Sequence, residues 1–313
     1  MTIAELSVSA ASQSREHADW LELKALASDD GNSSLQDLIA ELRRNGSTDA
    51  IEESTGASAD AHGELTERIA GDAFSEIEER ALAAGPGYPF HVGTRSIQAL
   101  SSVDDRSSTY LFLLLLSVYG VRAVTVGVRP ERDFEDISQF AAQGYFGLNE
   151  HDGHYLFAFP RRTKAPGFAQ AVEDLSSQLG EGVGAKDVTP SAQQKDAHLD
   201  VVVWHGFPDR RPGQLIAFGQ CAAGGNWRTK VTELGDCGDW CRAWMIEPPA
   251  VDPMRMLFIP HRLGYDEWAT RAILGGVLFE RCRIAYYAPA IPASVMSRCA
   301  KWSDAVINQL VRR

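Results

Sequence analysis

"LDVVVWHGFPDRRPGQLIAFGQCAAGGNWRTK", Leu199 to Lys230, carries the clearest structural grammar in the chain. Two apolar runs, "LDVVVW" and "QLIAFGQ", flank the turn-rich "HGFPDRRPG" and read as a pair of antiparallel strands. Centring the connection near Arg210 sets Trp204 opposite Ile216 and Asp200 opposite Gln220, and directly opposed residues lie about 4.5–5.5 Å apart. Period-two alternation then places Asp200, Val202 and Trp204 on one face beside Ile216, Phe218 and Gln220. A carboxylate next to an amide oxygen, at the open end of an apolar face, is a workable pair of ligands for a hard divalent ion such as Mg²⁺. The plain alternative is that Asp200 caps one strand and Gln220 ends the other. A slip of one residue would turn either partner to the opposite face.

The segments around this hairpin alternate between helical and strand-like patterns. "SREHADWLELKALAS" and "SSLQDLIAELRRNG" read as short amphipathic helices, the second capped by Ser33 or Ser34 and stopped at Asn45-Gly46. "STDAIEESTGASADAHG" is small and acidic and reads as a linker, and a third helix runs from about Glu64 to Ala84 before "AGPGYPF" ends it. Tyr110 to Tyr119 is apolar all round, as a buried helix is. "VRAVTVGVRP" alternates like a strand, and helices follow at about Asp133 to Tyr145 and Phe168 to Leu179. Beyond the hairpin, "RMLFIPHRL" reads as a strand, with helices around Trp268 to Cys282 and Ser294 to Val311.

Composition narrows the function. The chain has 313 residues, 44% of them hydrophobic, enough for one large domain or two with a proper core. A formal net charge of -12 argues against coating nucleic acid by bulk electrostatics, so any nucleic-acid surface is a local basic patch. The five cysteines, Cys221, Cys237, Cys241, Cys282 and Cys299, make a poor disulfide framework and favour a reducing, cytoplasmic setting. The first residues lack the pattern of a signal peptide. "YLFLLLL", the longest apolar run, falls far short of the roughly 20 residues that cross a bilayer.

Three short motifs in order carry a family resemblance. Phe134-Glu135 stands in "DFEDISQFAAQGYFG", Asp200 at a strand start in "KDAHLDVVVW", and Gln220 in "FGQCAAGGNWRTK". Over about Asp133 to Val231 the chain resembles the PD-(D/E)XK, or restriction-endonuclease-like, nuclease superfamily, in its Mrr-type branch with Gln opening the third motif. The resemblance implies an α/β (α+β) fold: a mixed central sheet flanked by helices over residues 121–313, with an added, mainly helical N-terminal region over 1–120 that would serve recognition or docking. One departure is plain. The family's Lys stands two residues after the Glu or Gln, and here that position is Ala222. Lys230, beyond the Gly224-Gly225 bend, is the candidate to replace it, with Trp227 as a packing anchor.

The function so implied is a Mg²⁺-dependent DNA endonuclease, with Mn²⁺ as substitute metal, serving restriction or anti-phage defence. Asp200, Gln220, the Cys221 carbonyl and Glu135 would hold the metal, and Lys230 would complete the catalytic set. Glu79, on the third helix, is the alternative to Glu135. DNA contacts would come from Arg161, Arg162, Lys164, Arg228, His261 and Arg262, while Arg210 and Arg211 sit at the far end of the hairpin from Asp200. The competing reading is a fold-retaining subunit that has lost cleavage, for which Ala222 is the evidence, acting as a nucleic-acid-binding or scaffolding component of a defence complex. The acidic balance fits a partner protein, such as an ATPase or recognition subunit, and a homo-oligomer is also open. Cys237 and Cys241 form one Cys pair without a second, a weak zinc signal, and His151 and His154 read as parts of a turn. Neither a nucleophile elbow, a P-loop nor a dinucleotide fingerprint occurs.

Overall fold

In the computed structural model, which describes residues 6–45, 59–148, 152–158, 167–188, 196–288 and 291–311, the hairpin has the expected register. Strand Val201–His205 pairs antiparallel with Leu215–Cys221, with Trp204 opposite Ile216 and Val202 opposite Phe218. In chain order, the helices are α1 (Ser14–Ala27), α2 (Leu35–Arg44), α3 (Ala59–Ala84), α4 (Asp105–Tyr119), α5 (Pro130–Phe146), α6 (Phe168–Leu179), α7 (Trp227–Lys230), α8 (Cys237–Trp244), α9 (Tyr265–Gly275), α10 (Arg281–Tyr287) and α11 (Ala293–Val311). The strands are β1 (Asn32–Ser34), β2 (Phe90–Val92), β3 (Ser96–Ala99), β4 (Gly153–Leu156), β5 (Val183–Ala185), β6 (Val201–His205), β7 (Leu215–Cys221), β8 (Met245–Glu247), β9 (Met254–Phe258) and β10 (Val277–Phe279). Among these, β1, β3 and β2 form a small antiparallel sheet, and β5 pairs with β8.

The central sheet is mixed, in the order β10-β9-β7-β6-β4. Strands β4, β6 and β7 are antiparallel neighbours, while β7, β9 and β10 run parallel. Alternation sorts the side chains onto two covered faces. Val201, Val203, Ala217, Met256, Phe258 and Phe279 share one apolar cluster with α4, α5, α10 and α11, whereas Val202, Trp204, Ile216 and Phe218 pack with α6 and α8. Gly219 is needed where these layers meet. A Cβ there would lie 2.7 Å from the Phe258 ring, which itself stacks on Phe279 with centroids 4.7 Å apart.

The N-terminal helices form through local signals and then share the core of the sheet. Ser34 caps α2 by accepting from the Asp37 amide while the Asp37 carboxylate takes the Ser34 N–H, a capping box. The α4 segment is buried along Tyr110 and Phe112 to Leu116, as its all-round apolarity predicts. One apolar cluster runs without a break from Leu21, Leu38 and Ile77 through Leu113 to Val203 and Phe258, so residues on both sides of 120 fill the same core. No helix among the described residues is long and apolar enough to cross a membrane.

Two segments differ from expectation. Residues 121–129 form no strand, although Val121, Val124, Val126 and Val128 all pack against the core. Their alternation satisfies burial without a ladder partner, and a positive φ of 74° at Gly127 breaks the extended path before Pro130 opens α5. The span read as one helix from Trp268 to Cys282 divides into α9, β10 and α10, because Gly276 turns with φ 79° and its close approach to the Arg255 carbonyl leaves no room for a Cβ. Of the linker read over 47–63, residues 47–58 lie outside the described residues and 59–63 are instead the start of α3.

A buried ionic network ties these layers together. The Arg80 guanidinium, fully buried on α3, donates to Asp19 at 2.8 Å, Glu22 at 2.9 Å, Glu76 at 2.8 Å and the Arg15 carbonyl at 2.7 Å. Arg281, equally buried at the start of α10, meets Asp19 at 2.6 Å, and the hydroxyls of Tyr88 and Tyr110 both donate to Glu22. Arg262 extends the network to Glu76 at 3.0 Å and Glu280 at 3.3 Å. Burial opposes ionisation of Asp19 and Glu76, but the arginines outweigh it, so both carboxyls titrate below their ordinary range. A depressed carboxyl pKa contributes stability that is present above the unfolded value of about 4 and lost as pH falls through the folded value. Arg80→Ala takes the close ion-pair partner from the buried Glu22, leaves Asp19 and Glu76 with one arginine each, and lowers the unfolding free energy by about 3–5 kcal/mol in urea denaturation at neutral pH. A loss below about 1 kcal/mol, the worth of an exposed pair, would show that water already screens the network.

Candidate functional site: a half-buried carboxyl pair at the end of the central strands

The approach to β6 is a tight turn that fixes Asp200. Ala197 and His198 have φ of 50° and 63°, two consecutive left-handed residues that are not glycine and that cost energy wherever they occur. The turn is held from outside. The Asp196 carboxylate accepts from the His198 N–H at 2.9 Å, and the Trp240 indole donates to the Ala197 carbonyl at 3.2 Å. Asp200 then lies one residue outside the strand, with its N–H on the Gly219 carbonyl at 2.9 Å while Val201 is the ladder partner of Gly219. Two residues against one is the arrangement a β-bulge makes, and the alternation breaks there: Leu199 and Val202 pack in the same cluster.

That break decides where the side chain goes. Asp200 Oδ2 accepts from the Cys221 backbone N–H at 2.7 Å, a charge-assisted bond across the end of β7. Burial pushes the Asp200 carboxyl well above the usual carboxylate range, the charges of Glu135 and Asp196 push it further, and the Cys221 N–H and Lys230 ammonium oppose them. Three of the residues singled out in the sequence are therefore electrically one group: Glu135 from α5, Asp200 from the strand entry and Lys230 from α7. Arg298 takes the neighbouring α5 carboxylates, Asp133 at 2.6 Å and Asp136 at 2.8 Å, so Glu135 is the α5 acid that acts on Asp200. Glu79, the alternative, is instead 3.9 Å from Arg262.

Gln220 does not join this group. It follows the regular alternation of β7, its Oε1 accepts from the Leu234 N–H at 3.3 Å, and its Nε2 donates to Glu233 Oε2 at 3.2 Å. The expected pairing with Asp200 assumed alternation through residue 200, and the bulge removes that assumption. Ala222 lies 1% exposed among Trp227, Val231, Leu257 and Ile259, so this position is core and could not hold an ammonium without a partner. Trp227 anchors α7 in the same cluster, with the Arg228 guanidinium 4.5 Å over its ring and His261 stacked at 6.2 Å.

The basic residues nearby are largely committed. Arg228 forms a two-pronged pair with Glu267 at 2.7 and 3.2 Å, and Arg262 belongs to the buried network. His261 approaches the Gly224 carbonyl at 3.3 Å, and burial lowers its pKa to about 4, so it is uncharged at neutral pH. Arg161, Arg162 and Lys164 lie outside the described residues. Sequence reasoning missed Asp196, His198 and Glu233. The polar run "KDAHLD" was the available signal for the first two, whereas Glu233 is recognisable only once the segment after α7 is seen to fold back on β7.

Among the described residues, no group of three or more His, Cys, Asp or Glu side chains is placed to hold a metal by itself. Two carboxyls, one of them destabilised as an anion, nevertheless suit Mg²⁺, which is usually bound by one or two carboxylates plus substrate phosphates and water. Comparison with known proteins brings no family model, no curated protein and no solved structure that matches the chain.

A raised folded-state pKa means that the stability contributed by Asp200 is full below its unfolded value, about 4, and is lost as pH rises through the folded value. Asp200→Asn, which cannot ionise, should therefore melt higher than the wild type at pH near 8 in the absence of divalent ions, with the gap closing towards pH near 4. Thermal melts at both pH values check this, and a variant that melts lower than wild type at the alkaline end contradicts it.

Proposed function

We propose that the chain is a Mg²⁺-dependent endonuclease that hydrolyses phosphodiester bonds in DNA. The observation that carries this reading is the Asp200 carboxyl held on the Cys221 N–H where β7 finishes, under the opposed electrostatic influence of Glu135 and Lys230. The coarse architecture lends support: a mixed central sheet flanked by helices is what the resemblance leads one to expect. A bound divalent cation would polarise the scissile phosphate and lower the pKa of a coordinated water. Asp200 and Glu135 are the carboxyls that would hold it, with main-chain oxygen at Cys221 as a further donor. One Asp200 oxygen is fixed by the Cys221 N–H, which sets the direction of the other. Lys230 offsets the pair's negative charge and would stabilise the charge that builds on the phosphate oxygens in the transition state. A role in restriction or anti-phage defence in the cytoplasm is the setting proposed with this activity.

The second reading, an inactive subunit with the same fold, draws on a specific observation. Arg228 and Arg262, two of the basic residues expected to contact DNA, are both held by carboxylates. Plasmid nicking with Mg²⁺ separates the readings. The wild type should cut, Asp200→Ala should lose cutting, and Lys230→Ala should slow it on the order of 10²–10³-fold, the worth of one charge-stabilising donor. Equal rates in all three proteins would overturn the proposal, and DNA binding by a wild type that never cuts would favour the subunit.

A further inference from the structure

Both arms of the site are carried by segments with little structure of their own. Asp200 follows the strained turn at Ala197 and His198, and Lys230 ends a helix of one turn. Neither geometry is self-sustaining, since a single turn of helix is far below the length that is stable alone. A chain of side-chain bonds spans the gap between them. Gln220 Oε1 accepts from the Leu234 N–H at 3.3 Å, Gln220 Nε2 donates to Glu233 Oε2 at 3.2 Å, and the same Glu233 oxygen meets His198 Nδ1 at 3.3 Å. The Glu233 N–H in turn donates to the Lys230 carbonyl at 3.0 Å.

We infer that Gln220 is a positioning residue, a brace between the Asp200 arm and the Lys230 arm, and not a metal ligand; the inference rests on the endonuclease reading for its functional consequence. Gln220 is suited to this because it is 4% exposed on the middle strand of the sheet, which is paired on both sides. Its amide is also bifunctional: the oxygen takes a main-chain N–H and the nitrogen takes a carboxylate. A glutamate could do only half of this, and would face the Glu233 carboxylate. A glutamine that holds a cation and a glutamine that donates to Glu233 thus respond oppositely to the same substitution. Glutamate strengthens a metal site but breaks the brace.

The test uses Gln220→Glu, the exchange pair Gln220→Glu with Glu233→Gln, and Glu233→Ala, read by amide hydrogen exchange over residues 230–236, Mn²⁺ titration and cleavage kinetics. Gln220→Glu should speed exchange in that segment about tenfold or more, leave Mn²⁺ affinity within about threefold of wild type, and lower kcat with KM little changed. The exchange pair should restore both the exchange protection and kcat, because the donor and acceptor have only traded places. Glu233→Ala, at a side chain one third exposed, should show the same faster exchange and decides the matter if Gln220→Glu does not fold. Tighter Mn²⁺ binding in Gln220→Glu, or exchange unchanged in both single variants, would overturn the brace. Hydrogen exchange does not depend on cleavage, so a wild type that fails to cut would sink the endonuclease reading while the brace stood or fell by the exchange data alone.

Discussion

The hydrogen bond from the Cys221 N–H to Asp200 is the hinge of the site, because it holds a carboxyl where water would otherwise be needed to solvate it. A half-buried carboxylate beside another carboxylate is costly, and a fold keeps such a pair only if something else compensates. One backbone N–H and one ammonium do part of this, and they leave Asp200 still displaced well above its usual range. The remaining imbalance is the physical argument for a cation. It also explains the bulge at the entry to β6: regular alternation would have put Asp200 on the face of Val202 and Trp204, away from α5 and Glu135.

The scaffold meets its own buried charges differently. Arg80, Arg281 and Arg262 face Asp19, Glu22, Glu76 and Glu280 at hydrogen-bond or ion-pair distances, with two tyrosine hydroxyls completing Glu22. In that network opposite charges meet and the carboxyls of Asp19 and Glu76 are held ionised; at Asp200 like charges meet and the carboxyl is pushed towards neutrality. The contrast separates a structural cluster from a site candidate without reference to any relative. It also accounts for the fate of Arg262, whose basic character in the sequence suggested substrate contact but whose surroundings make it a bridge between α3 and the start of α10.

Much of the sheet was legible in the sequence because its signals are local. Two apolar runs around one turn fixed the register of β6 and β7, and the helical periods of α1, α2, α6 and α11 needed no tertiary information. Glu135, Asp200 and Lys230 were each singled out, although only the fold brings them together across more than ninety residues of chain. The face of Asp200 was not legible, since one extra residue at a strand entry reverses the alternation on which its expected pairing with Gln220 stood. The valines of 121–129 misled for a related reason, because period-two burial can be met by a chain lying on a core without strand pairing. Strand β10 was hidden by its three-residue length between two helices.

The most direct test of the central claim is calorimetric titration of Mn²⁺ into the metal-free protein at neutral pH, in two buffers of different ionisation enthalpy. The Asp200–Glu135 pair predicts one binding event accompanied by proton release, since a cation shifts a carboxyl that is pushed towards neutrality back to its ionised form. It also predicts that Asp200→Asn, still folded, loses that event. Binding that releases no proton and persists in Asp200→Asn, or no binding by the wild type, would contradict the account.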